Sequence, residues 1–315
     1  GISINTKTVE GKKIAQDLIK EVDIFLENMR PGAAERVGLG QKDLYKLNPC
    51  ITQTHISAYG HDGPYVNRPG LDPIAQSITG LQTVQGGEGP PVFLGMLAPT
   101  DFTAGGMAAL GTIAGLYNRV KNNTGSIINT NLLSGGMLLN ARRIKDYIDR
   151  KYIPKFVNEH QNGISDINRA YETKDGWIYV YSKNLSKQNL LEIINEKFNT
   201  KISDLESFFI TYNSLICIKK INSSDIFICP VTNPREDEYD FLKNPVTWDL
   251  VTELEHPSLI SLEMGHNLYD FGLKEVRITS YPNLGEHNNL YLNNLGYSSE
   301  QIDLFYKDKI IFTEN

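Results

Sequence analysis

One carboxylate stands alone in the stretch LAPTDFTAGGMAALG, Leu97 to Gly111. Asp101 follows an apolar, proline-containing approach and precedes a run of very small residues. An unperturbed Asp is ionised at neutral pH, and an ionised carboxylate can attack an acyl carbonyl to give a covalent intermediate. A helix N-terminus at this point would favour the anion through its dipole and its free N–H groups. The position suits a plain N-cap at least as well. The helix expected to run from here to about Val120 carries Gly105, Gly106, Gly111 and Gly115 among alanines. Each internal Gly costs about 1 kcal/mol against Ala, so close approach of a backbone or a ligand is expected there.

Other chemistries find little support. The six His show no HxxxH or HExxH spacing, which argues against a metal site. The glycines at 86, 87 and 89 form no GxGxxG and read as a turn. No GxSxG nucleophile elbow is present, and Ser57 near His55 reads as strand alternation. The three Cys form no CxxC, as expected of a reducing compartment, and cytoplasm is the default expectation. A net charge of −6 argues against a nucleic-acid partner, yet leaves room for a local basic pocket. No apolar run is long enough to span a bilayer, and no secretory signal opens the chain.

The elements that must position Asp101 follow an α/β pattern. Ile2–Asn5 reads as a strand, and Thr8 as the N-cap of a helix through Val22 with apolar residues at helical spacing. Asp23–Glu27 reads as a strand, Lys42–Leu47 as a short helix and Ile51–Tyr59 as a strand. Strand–helix–strand with short links signals a parallel layer, whose ligands bind beyond the carboxyl ends of the strands. The loops after Glu27 and Tyr59 lie there. Asp72–Leu81 and Ser134–Ile153 read as helices, Gly86–Pro91 as a turn. From about Ala170 the texture changes, with a turn at Asp175-Gly176 before an alternating strand. The tail gives two helices, the second with a capping box at Ser298 and Gln301.

Three segments together carry a resemblance: Glu27–Pro49 (ENMRPGAAERVGLGQKDLYKLNP), Ser57–Leu81 (SAYGHDGPYVNRPGLDPIAQSITGL) and the stretch around Asp101. They closely resemble the class III CoA-transferases of the CaiB/BaiF type. That family holds formyl-CoA transferase, the carnitine CoA-transferases and the α-methylacyl-CoA racemases. Glu255–Gly265 and the tail from Leu284 are similar to its late segments. The match is strong over 1–135 and 253–311 and thin over 155–250.

The resemblance implies a Rossmann-like large domain built from both chain ends, 1–150 with 271–315. A smaller α+β domain then occupies 151–270, and two chains interlock as a homodimer. The family's opening strand and first helix have no counterpart before GISIN, so an N-terminal portion is expected to be missing. A truncated, non-catalytic homologue is therefore one reading.

The implied activity moves CoA from an acyl-CoA to a small carboxylic acid, with CoA as a substrate and no permanently bound cofactor. Asp101 aligns with the catalytic aspartate, which forms an acyl anhydride and then an aspartyl-CoA thioester. Each step passes an oxyanion, for which Gly105–Gly106 and the GGEGPP loop are candidate backbone donors. Ile4, Asn5, Thr6, Lys7, Asn28, Met29, Arg30, Arg36, Arg68, Pro69, Gly70 and Leu71 are implied to line the CoA groove. Asn28 and the Met29 backbone would hold its adenine or ribose end. The phosphates of CoA need cations, and Lys7, Arg30, Arg36 and Arg68 are the candidates. Asp72, Asn158 and His160 are candidate substrate contacts, although Asp72 could equally cap a helix and Asn158 and His160 could belong to a polar linker. The racemases carry a His before the Asp of the RPG-x-D stretch. Here Leu71 stands in its place and cannot accept a proton, which favours transfer over racemisation.

Overall fold

Thr8 accepts a hydrogen bond from the Gly11 N–H at 3.0 Å and starts helix α1, Val9–Glu21, as its residue type predicts. The structure is a computed structural model and describes residues 1–141, 156–232, 251–256, 258, 262–265 and 279–313. After α1 come β1 (Ile24–Glu27), α2 (Ala33–Arg36), α3 (Gln41–Leu47) and β2 (Thr52–Ser57). Helices α4 (Asp72–Ile78), α5 (Leu81–Gly86) and α6 (Pro99–Asn122) come next, then β3 (Ser126–Asn131) and α7 (Leu132–Leu139). The strands form one parallel sheet in the order β1-β2-β3.

The chain divides into two compact units. The first takes Gly1–Ala75, Ala98–Leu139 and Pro245–Asn315, the second Gln76–Leu97 and Asn140–Asn244.

In the first unit the two chain ends share a core: Ile14 of α1 packs with Leu292, Ile302, Ile310 and Ile311. Tyr297 Oη donates to Asp17 Oδ2 of α1 at 2.9 Å. The tail forms helices over Asn288–Asn294 and Ser299–Lys307, the latter with both bonds of the Ser298–Gln301 capping box.

The second unit has an antiparallel sheet of β4 (Gly163–Ser165), β5 (Asn168–Thr173), β6 (Gly176–Tyr181) and β7 (Phe227–Pro230). Its own core of Tyr171, Ile178, Leu190, Ile194, Phe209 and Ile228 is fully buried. Here the turn at Asp175-Gly176 joins β5 to β6, as the sequence predicts.

Three expectations need correction. Ile2–Asn5 is not a strand; Ile4 makes a single bridge to Ile311. Side chains replace the ladder there: the Ser3 N–H donates to Asn288 Oδ1 at 2.9 Å, and the Phe312 N–H to Ser3 Oγ at 2.8 Å. The helix expected over 72–81 breaks after Ile78, where the Thr79 carbonyl accepts from Asn140 Nδ2 at 2.7 Å. The helix expected from Ser134 starts at Leu132; its stretch over 142–153 lies outside the described residues.

Helix α6 lies directly on the sheet. A side-chain carbon at Gly111 would stand 2.6 Å from Ile128 Cγ2, and one at Gly115 2.7 Å from Thr52 Cγ2. Between them Thr112 Oγ1 and Thr54 Oγ1 hydrogen-bond at 2.7 Å, both residues buried. Close approach is thus the reason for these two glycines. Gly115→Val is expected to lower stability by about 1–3 kcal/mol through overpacking, read as a lower urea midpoint at unchanged slope.

Candidate active site

Asp101 is the third residue of α6, one place inside the turn that a cap would precede. The N-cap position is Ala98, in the left-handed region at φ 36° and ψ 54°, with no side-chain cap bond. The capping oxygen comes from another helix. Asp72 Oδ1, at the start of α4, accepts from the Thr100 N–H at 2.8 Å and from Thr100 Oγ1 at 2.5 Å. Both residues are buried. Asp101 itself reaches solvent.

Asp101 sits in a groove of about 660 Å³ at the carboxyl ends of β1 and β2. Of the predicted residues, Asn28, Met29, Arg30, Arg68, Pro69, Gly70 and Leu71 line it together with Asp101. The first three follow β1 directly. The others close the loop after β2, which is held by Tyr59 Oη donating to the Pro69 carbonyl at 2.9 Å. The Arg68 guanidinium stacks 4.9 Å from the Tyr65 ring centre. Two cations thus border the groove that holds the carboxylate.

The remaining predicted residues lie elsewhere. Ile4, Asn5, Thr6 and Lys7 form the turn before α1, fastened by the Asn5 N–H to the Ile310 carbonyl at 2.8 Å. Arg36 ends α2, exposed and outside the groove lining. Asp72 is buried beneath the first turn of α6 and is also outside that lining. Asn158 and His160 belong to the second unit. There Asn158 Nδ2 donates to Asn162 Oδ1 at 2.7 Å, and exposed His160 stands 3.6 Å from Glu159.

Two expectations about electrostatics change. The Asp101 carboxyl is pushed above the ordinary carboxylate range, first by partial burial and then by the negative charge of Asp72. Gly105 and Gly106 are also no oxyanion donors, because N–H groups beyond the first turn bond along the helix. Among the described residues, no atom outside the backbone of α6 itself lies within 4 Å of where their side-chain carbons would stand, and Gly105 forms part of the groove wall. The GGEGPP loop makes its close approach to residues 157–159 of the second unit, with the Glu88 N–H donating to the Val157 carbonyl at 3.1 Å.

A neighbouring pocket of about 190 Å³ shares Met29, Arg30, Pro31 and Ser57 with the groove. Its walls include a pair that sequence reasoning missed. His55 Nδ1 lies 2.8 Å from Glu27 Oε1, both side chains about nine-tenths buried. A carboxylate only accepts, so Nδ1 carries the proton. Glu27 also accepts from the Met29 N–H at 2.5 Å and so shapes the start of the groove loop. The signal lay in the parallel register, which sets Glu27 beside His55. His55 pairs across strands and not with Ser57.

A family model for CoA-transferase family III matches residues 1–288. The chain belongs to this family. A succinyl-CoA:glutarate CoA-transferase from Homo sapiens is 34% identical over 208 residues, 65% of this chain and 44% of that protein. A succinyl-CoA–D-citramalate CoA-transferase from Chloroflexus aurantiacus is 30% identical over 184 residues, 58% of this chain and 45% of that protein. The matched chain thus spans less than half the length of these two relatives. A formyl-CoA:oxalate CoA-transferase from Streptomyces avermitilis is 25% identical over 98% of this chain and 83% of its own length. The fold matches a CaiB/BaiF family protein from Brucella suis with a TM-score of 0.78 at 18% identity, covering 93% of this chain and 80% of that one. Among the described residues of this family III chain, no group of three or more His, Cys, Asp or Glu could hold a metal ion. No described helix is long and apolar enough to cross a membrane.

Glu27→Ala leaves the buried His55 Nδ1–H and the Met29 N–H without their acceptor. It is expected to cost about 1–3 kcal/mol, measured by urea unfolding at neutral pH.

Proposed function

We propose that this chain transfers CoA from an acyl-CoA donor to a small carboxylic acid, with Asp101 as the nucleophile. The observation that carries the reading is the groove in which Asp101 meets seven of the positions expected to bind CoA, bordered by Arg30 and Arg68.

An Asp101 carboxylate oxygen attacks the thioester carbonyl, the C–S bond breaks, and CoA leaves as thiolate from a mixed anhydride. The thiolate attacks the Asp101 carbonyl carbon, releasing the donor acid as carboxylate and leaving an aspartyl-CoA thioester. The acceptor carboxylate attacks that thioester and gives a second anhydride and free thiolate. Attack of the thiolate on the acceptor carbonyl forms the product thioester and restores the Asp101 carboxylate. No net proton is consumed, so the groove needs no separate acid–base pair. Leu71 agrees: it lines the groove where the family's racemases carry a His, and it has no proton to move.

The substrates in the relatives' names are the first to try, succinyl-CoA with glutarate and formyl-CoA with oxalate. The division into a large domain of both chain ends and a small one at 151–270 belongs to the same reading. So does a homodimer. Phe102, Leu110, Ile113, Tyr117 and Val120 recur at helical spacing on α6 and are each 65–86% exposed, an apolar stripe for a second copy to cover.

CoA transfer in these substrate pairs, followed by chromatography of the thioesters, tests the activity. Asp101→Ala is expected to reduce it by about a thousandfold or more with the fold intact. A variant that retains transfer removes Asp101 from the chemistry.

A further inference from the structure

Helix α6 begins without a cap of its own. Ala98 has no side-chain oxygen and sits in a left-handed conformation, and Pro99 supplies no N–H. The next N–H is that of Thr100, and it is met by a carboxylate 28 residues earlier in the chain. Asp72 Oδ1 takes both the N–H and the hydroxyl of Thr100, the residue immediately before Asp101. Thr100 is fully buried and Asp72 nearly so. The same turn is held from above by α7, where a side-chain carbon at Gly135 would stand 2.9 Å from the Thr100 carbonyl oxygen.

We infer that Asp72 is a positioning residue for Asp101: it replaces the missing N-cap of α6 from another helix and fixes the turn that carries the nucleophile. This rests on the proposed role of Asp101 as that nucleophile. Asp72 also occupies the positive end of the α6 dipole, at the residue that precedes Asp101. The upward shift of the Asp101 carboxyl, caused first by burial and then by Asp72, agrees with that placement. Among the described residues, the other charged side chains that line the groove are Arg30 and Arg68, on the loops after β1 and β2. A more basic carboxylate is a better nucleophile toward a thioester, provided that it stays ionised at the working pH.

Two readouts on the full chain separate this inference from the function it serves. The first is a 13C NMR titration of Asp carboxyl groups, with Asp101→Asn identifying the Asp101 signal. Asp72→Asn keeps the acceptor for Thr100 and removes the charge, and the Asp101 midpoint is expected to move to lower pH. An unchanged midpoint overturns the inference whether or not Asp101 does chemistry. The second readout is trapping of Asp101 by hydroxylamine in the presence of succinyl-CoA, quantified by peptide mass spectrometry. Asp72→Ala is expected to lower the yield of hydroxamate by about tenfold or more. Asp72→Asn is expected to restore most of it and to extend the yield to lower pH. If the parent chain is trapped and Asp72→Ala is trapped equally, Asp72 does not position Asp101 and the proposed function stands. If the parent is not trapped at all, the proposed function falls and the titration alone decides the role of Asp72.

Discussion

The contact between α6 and the parallel sheet fixes everything at the site. Gly111 and Gly115 remove the side chains that would hold the helix off, and Thr112 closes the gap with a buried hydrogen bond to Thr54. Gly115 lies over Thr52, and Thr112 over Thr54 two residues further along β2. The helix therefore runs antiparallel to the strands, and its N-terminus arrives where they end. Asp101 needs no loop to carry it; a rigid helix delivers it to the carboxyl end of the sheet. The cluster of Ala75, Ala104 and Leu132 then packs α4, α6 and α7 around the first turn.

The groove is completed by two loops from the same edge. β1 and β2 are parallel neighbours, so the segments after Glu27 and after Ser57 emerge side by side. One brings Asn28, Met29 and Arg30, the other Arg68 to Leu71. The Glu27–His55 pair lies beneath both and ties the first loop to the second strand through the Met29 N–H.

Much of this was legible in the sequence because it depends on local rules. Short strands with helical links predicted a parallel layer, Thr8 and Ser298 marked helix starts, and the loops after β1 and β2 were placed at the ligand-binding edge. Local rules also explain the failures. ISIN has the alternation of a strand, but its hydrogen bonds go to Asn288 and Phe312, which no periodicity reveals. Whether Asp101 is a cap could not be read from LAPTD, because the capping oxygen belongs to Asp72 on α4. The Glu27–His55 pair is visible only once the register of two strands is known. The family resemblance, strongest where the groove is built, is matched by a family model over residues 1–288.

The most direct measurement is to incubate the chain with succinyl-CoA, add hydroxylamine and sequence the modified peptide by mass spectrometry. With Asp101 as the nucleophile, a hydroxamate is expected on Asp101, formed only when the thioester is present. A hydroxamate on another residue, or none from a chain that transfers CoA, would contradict that role.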